Sequence, residues 1–298
     1  MRIGVDWGGT KIEVIALDNF GQVKYRQRIK TPIQDYDACV QAVCDLVLVA
    51  ENDIGESGSV GIGIPGTISQ STGLVKNANS TWLNGKPLLA DMTAALARPI
   101  KMQNDANCFA VSEATDGAGA GKSVVIGVIL GTGCGCGIAI NGKALSGLNG
   151  ITGEFGHTPL PYITAREFPG RACWCGKRGC LETYISGTGF ERTYEELVGF
   201  PSALDVQAIL QLDGDDARTT YNIYMSQLTR GLSTLINVID PDVIVLGGGM
   251  SNVEQLYDDV PKQLAHYIFS DSYETPIVKA KHGDSSGVRG AAWLWGKN

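Results

Sequence analysis

Two short stretches of this chain repeat one plan, and that repeat limits the folds open to it. Arg2–Trp7 and Lys11–Leu17 are β-rich runs joined by Gly8-Gly9-Thr10, a strand, a glycine turn and a strand. Val124–Leu130 and residues 137–140, joined by Gly131-Thr132-Gly133-Cys134-Gly135, repeat the plan. Helix- and strand-type patterns alternate after each copy. The pattern predicts strands at 23–30, 60–64, 99–103, 242–246 and 277–280, and helices at 37–50, 88–96, 106–114, 206–212, 217–239, 253–269 and 286–295. Two halves that open alike and continue in α/β order imply a duplicated, two-lobe α/β protein with a cleft between the lobes. The expected division is 1–115 plus 285–298 for one lobe and 116–284 for the other, with the final helix returning to the first.

Composition narrows the classes. With 298 residues, 44% hydrophobic and 18% charged, the chain is long enough for two cores and too apolar to be disordered. A net charge of −7 argues against a nucleic-acid surface, which would be basic. No apolar run approaches the roughly 20 residues of a membrane span. The N-terminal Met1-Arg2-Ile3-Gly4-Val5-Asp6 does not read as a signal peptide. The expectation is a cytoplasmic protein with reduced thiols.

Cysteine spacing supplies the sharpest local signal. One of three histidines, His157, closes Glu154-Phe155-Gly156-His157. Three of eight cysteines follow in Cys173-Trp174-Cys175-Gly176-Lys177-Arg178-Gly179-Cys180. One imidazole and three thiolates are what a closed, tetrahedral structural Zn²⁺ site takes, here in loop 157–180. Small buried cysteines are the competing reading, and a disulfide would need an oxidising compartment. Glu154 and Glu182 flank the loop and would be held by it as rigid polar groups.

Asp6-Trp7-Gly8-Gly9-Thr10-Lys11 lacks P-loop spacing, yet its bared N–H groups, Thr hydroxyl and Lys suit phosphate oxygens, as does Gly131-Thr132-Gly133. Gly247-Gly248-Gly249, after a buried strand, is a third candidate nucleotide contact. Asn104-Asp105-Ala106-Asn107 sits at a strand end, where active-site residues of α/β folds collect. Asp105 could accept a proton from a hydroxyl, or could simply cap the following helix.

Together these motifs resemble the ROK family of sugar kinases, over essentially the whole chain. The resemblance implies the two-lobe actin/hexokinase-like (ribonuclease H-like) ATPase fold, and the cofactors ATP, Mg²⁺ and structural Zn²⁺. It implies Asp105 as general base, and Asn104, Asp105, Glu154, His157 and Glu182 as sugar contacts. It implies His157, Cys173, Cys175 and Cys180 as zinc ligands. Gly8, Gly9, Thr10, Lys11, Gly131, Thr132 and Gly133 would cradle the ATP phosphates. Asp6 would lie near Mg²⁺ through water, and Gly247, Gly248 and Gly249 near the adenosine. Residues 76–85 and 282–286 look like bacterial fructokinases of the manno(fructo)kinase type, so the expected substrate is fructose, with mannose or glucose secondary. The partner implied is a small hexose, with no nucleic acid or membrane, and a homodimer is the family expectation.

Glucokinase and N-acetylmannosamine kinase are the nearest alternatives. A repressor of the same family would carry a helix-turn-helix before the first glycine turn, which here begins at residue 6 of an acidic chain. A non-catalytic sugar sensor would not need Asp105.

Overall fold

The structure is a computed structural model, and it describes residues 1–296. In chain order its elements are β1 (Arg2–Trp7), β2 (Lys11–Leu17), β3 (Val23–Lys30), α1 (Tyr36–Ile54), β4 (Ser59–Ile64), β5 (Thr67–Ile68), β6 (Val75–Lys76), α2 (Leu88–Ala95), β7 (Ile100–Asn104) and α3 (Asp105–Thr115). There follow β8 (Val124–Leu130), β9 (Cys134–Ile140), β10 (Lys143–Ala144), α4 (Glu182–Ile185), α5 (Gly187–Val198), α6 (Val206–Leu210), α7 (Asp215–Ile239), β11 (Val243–Gly247), α8 (Gln255–Leu264), β12 (Ile277–Lys279) and α9 (Ser286–Trp293).

The duplication is visible in the sheets. One runs β3-β2-β1-β4-β7 and the other β10-β9-β8-β11-β12, the same order counted from the first strand of each. In the first sheet β1 pairs antiparallel with β2 and parallel with β4, and β4 pairs parallel with β7. The compact units are 1–127 with 137–152 and 281–298, and 128–136 with 153–280. These bounds differ from the division expected from sequence, because β8 and β9 each contribute to both units.

In the first unit, Trp7, Ile62 and Ile64 are fully buried among the residues between the sheet and α1. The final helix α9 does pack on this sheet, and small residues let it come close. A Cβ on Gly4 would lie 2.1 Å from the carbonyl oxygen of Val288, and one on Gly61 would lie 1.9 Å from that of Ala291. A Cβ on Gly290 would lie 1.6 Å from the carbonyl oxygen of Cys108 in α3. Backbone therefore meets backbone at these crossings, and only glycine fits.

Several element bounds differ from expectation. The expected strand 137–140 begins at Cys134, because the turn before it is tighter than the run of glycines implies. The expected helix 253–269 is shorter: a single 3₁₀ turn at Gly249–Asn252 precedes α8, which ends at Leu264. The helices α4 and α5 carry no clear sequence signal, since α5 opens with Gly187-Thr188-Gly189, poor helix formers. Ser186 explains its start: the side chain caps the helix by accepting from the N–H of Gly189. Among the described residues, no helix is long and apolar enough to cross a membrane.

Candidate active site

The first glycine turn joins β1 to β2, and the N–H of Gly8 donates to the carbonyl of Lys11 at 2.9 Å. Thr31 steadies it, donating from its N–H to Thr10 O at 3.0 Å and from its hydroxyl to Gly8 O at 2.8 Å. Thr10 and Lys11 are exposed, so their donors face solvent. Asp6 lies just before the turn and is half-buried. Burial, with the nearby charges of Asp105 and Glu13 adding to it, pushes its carboxyl up to about 7. Such a carboxylate is unfavourable as a bare anion, and a divalent cation beside it would relieve the cost. The donor chemistry here therefore fits Mg²⁺.

Asp105 begins α3 directly after β7. The cap of this helix is Asn104, not Asp105: Asn104 Oδ1 accepts from the N–H of Ala106 at 2.9 Å and of Asn107 at 3.3 Å. Asn104 Nδ2 donates to Gly66 O at 3.2 Å, so both ends of its side chain serve the fold. Asp105 Oδ1 accepts from the N–H of Ala106 at 2.8 Å.

In the second unit the other two glycine turns meet. Gly248 has φ +79°, and a Cβ on it would lie 2.5 Å from the carbonyl oxygen of Leu130 and 2.9 Å from the N of Gly131. Thus 247–249 and 131–133 touch through bare backbone. The 131–133 turn is anchored by α5: the N–H of Gly187 donates to Gly131 O at 2.7 Å, and the Thr188 hydroxyl donates to Thr132 O at 2.7 Å.

Glu182 abuts the same turn. Its Oε2 accepts from the N–H of Cys134 at 2.9 Å, and a Cβ on Gly133 would lie 2.6 Å from that oxygen. Its Oε1 accepts from Trp174 Nε1 at 2.7 Å. Trp174 also stands edge-on to His157, with ring centroids 5.0 Å apart. Sequence reading assigns no role to Trp174, although its place between two candidate ligands is a signal. The backbone N–H of Cys134 had none. Glu154 is exposed at the start of a 3₁₀ turn, Glu154–His157, that lies on β9: a Cβ on Gly156 would lie 2.3 Å from Cys134 O. Burial, with the charge of Glu154 adding to it, pushes the Cys136 thiol up to about 12, so this cysteine is an inert core thiol.

His157, Cys173, Cys175 and Cys180 are brought together. One ligand atom from each lies within 4.8 Å of all the others. Cys175 Sγ and Cys180 Sγ are 3.6 Å apart, and Cys173 Sγ is 3.7 Å from His157 Nδ1. A tetrahedral ion with metal–sulfur bonds of about 2.3 Å separates its ligand atoms by about 3.7 Å. The donor set and spacing therefore fit Zn²⁺. Loop bonds hold this shape, with Cys173 N–H donating to Lys177 O at 2.9 Å and Gly176 and Gly179 at φ +85° and +76°.

Comparison with known proteins bears on the family and the fold. The family model of the ROK family matches residues 2–298. An N-acetyl-D-glucosamine kinase of Escherichia coli O127:H6 is 41% identical over 299 residues, covering 99% of each chain. Among solved structures, a ROK hexokinase from Thermus thermophilus matches with a TM-score of 0.86 at 27% identity, over 98% of this chain and 97% of that one. A ROK family glucokinase from Streptomyces griseus, in complex with glucose and AMPPNP, matches with a TM-score of 0.78 at 28% identity, over 98% of each. The mixed α/β architecture is thus the actin/hexokinase-like fold of these kinases.

Proposed function

We propose that this chain, which belongs to the ROK family and is an ATP-dependent sugar kinase, uses N-acetyl-D-glucosamine as its acceptor. The observation that carries the choice of sugar is the 41% identity, end to end, with a kinase of that name. Fructose has less behind it, because the residues that pointed to it serve the fold. Asn84 both accepts from Ala78 N–H and donates to Ala78 O, at 2.9 Å each, and Lys76 Nζ donates to Asn149 O at 2.8 Å. His282 Nε2 lies 3.1 Å from Asp116 Oδ1, in a structural cluster.

In this reading Asp105 accepts the proton of the attacking sugar hydroxyl as its oxygen bonds to the γ-phosphorus and the bond to ADP breaks. Glu154, His157 and Glu182 hold sugar hydroxyls. Asn104 contributes mainly by capping α3 and so fixing Asp105. Gly8 to Lys11 and Gly131 to Gly133 supply N–H donors to the phosphates, and Gly247 to Gly249 give the nucleoside a flat backbone surface. Mg²⁺, when bound near Asp6, neutralises phosphate charge. His157, Cys173, Cys175 and Cys180 would hold Zn²⁺, which fixes the loop that carries Trp174.

A coupled ADP-release assay over N-acetyl-D-glucosamine, N-acetylmannosamine, glucose, mannose and fructose tests the assignment. The highest kcat/KM is expected for N-acetyl-D-glucosamine; a higher value for fructose overturns it.

A further inference from the structure

A cavity of about 540 Å³ opens in the second unit between the segment 164–171, α5 and α7. Its size is that of a small-molecule site. Its walls carry five arginines, Arg166, Arg171, Arg178, Arg192 and Arg230, against two carboxylates, Glu167 and Glu196. That leaves an excess of three positive charges on a chain of net charge −7.

The carboxylates are already committed. Buried Arg230 pairs with Glu167, and buried Arg171 reaches Glu196 at 2.7 Å, Thr193 Oγ1 at 2.9 Å and Thr183 O at 2.7 Å. Arg192 shares Glu196 at 3.0 Å. Arg166 and Arg178 have no acidic partner among the described residues.

A second observation lies in the same wall. Gln227 is 1% exposed, and its Nε2 donates to Glu167 Oε1 at 3.0 Å, yet its Oε1 has no partner. A buried amide oxygen without a donor costs roughly 1–3 kcal/mol. A ligand that satisfied it must carry an O–H or N–H. The doubly ionised phosphate group of a monoester has none to give, so the donor must lie elsewhere on the ligand, whereas free guanidinium groups select an anion and suit phosphate.

We propose that this cavity is a second ligand site, for a small phosphate monoester that also carries hydroxyl groups, of the sugar 6-phosphate class. Arg166 and Arg178 take the phosphate and Gln227 takes a hydroxyl. The assignment rests on the cavity alone and holds whichever sugar the kinase prefers.

Calorimetric titration of the zinc-loaded full chain with D-glucose 6-phosphate tests it, on wild type and on the Arg166→Gln/Arg178→Gln double variant. Any binding at the reaction site is common to both proteins. Both arginines are exposed, so the variant is expected to keep its melting temperature and zinc content. The expected result is a wild-type binding event that the double variant weakens about 10–100-fold. Equal affinity in the two proteins, or no binding to wild type, overturns the site. Gln227→Met is expected to weaken D-glucose 6-phosphate and leave inorganic phosphate unchanged. Inorganic phosphate binding wild type as tightly as the sugar phosphate overturns the hydroxyl contact. The substrate assignment is read separately, from wild-type turnover.

Discussion

Trp174 donates from Nε1 to Glu182 Oε1 at 2.7 Å, and so the cysteine loop holds one oxygen of a carboxylate whose other oxygen rests on the glycine turn at 131–133. Glu182 is thereby fixed from two sides, by a side chain eight residues before it and by a backbone N–H 48 residues before it. A carboxylate fixed in this way is preorganised, and loses little freedom when it binds a hydroxyl.

Trp174→Phe removes one of these two bonds and keeps the ring against His157. Hydrogen bonds to charged groups contribute roughly 1.5–3 kcal/mol. The sugar KM is expected to rise about tenfold, with the ATP KM little changed. Trp174 is 70% exposed, so the melting temperature should move little. An unchanged sugar KM would show that Glu182 does not depend on this bond.

In the proposed reading the loop depends on zinc held by His157, Cys173, Cys175 and Cys180. Metal analysis is expected to return about one zinc per chain, and Cys175→Ser to lose it, since a hydroxyl replaces a thiolate poorly. Trp174 is then released from its position, and sugar affinity should weaken more than ATP affinity. Purified protein without zinc, or a Cys175→Ser variant with normal sugar KM, counts against the metal site.

Asp105→Asn keeps the shape of the first residue of α3, and the cap on Asn104 is untouched. The base is lost. Turnover is expected to fall about 10²–10⁴-fold while sugar binding, measured by calorimetry, persists. Near-normal kcat would remove Asp105 from the chemistry.

Asp116 ties α3 to α9. Burial alone would raise its carboxyl, but hydrogen bonds from His282 and Arg289 outweigh burial and hold it at about 2, below its ordinary 3.8. Trp293 Nε1 also donates to it at 3.0 Å. A depressed folded value means that the unfolded chain binds the proton more readily. The stabilisation is therefore full above about pH 4 and lost as pH falls through about 2. A displacement of this size is worth roughly 2 kcal/mol. In urea melts, Asp116→Asn should cost about that much at pH 7, and the gap to wild type should narrow between pH 5 and pH 2. A gap that stays constant with pH would mean the charge on Asp116 contributes nothing.

Much of this molecule was written locally in the chain. The β-rich runs at 2–7 and 11–17, the glycine turns between strands and the Cys-Trp-Cys spacing each act over a few residues, and local propensity and covalent reach settle them. The repeat of strand, turn and strand pointed to two halves that open alike, and the common strand order of the two sheets came only with the structure. Other features were decided only by tertiary packing. The role of cap fell to Asn104 because β7 delivers its side chain to the N–H groups of Ala106 and Asn107. The helix α5 forms despite its glycines because Gly187 and Thr188 bond to the turn at 131–133. The contact of Glu182 with Cys134, and the arginine-lined cavity between α5 and α7, join residues far apart in the chain. No local pattern encodes such meetings, because they arise when separate elements bury their apolar faces together and carry their polar groups with them.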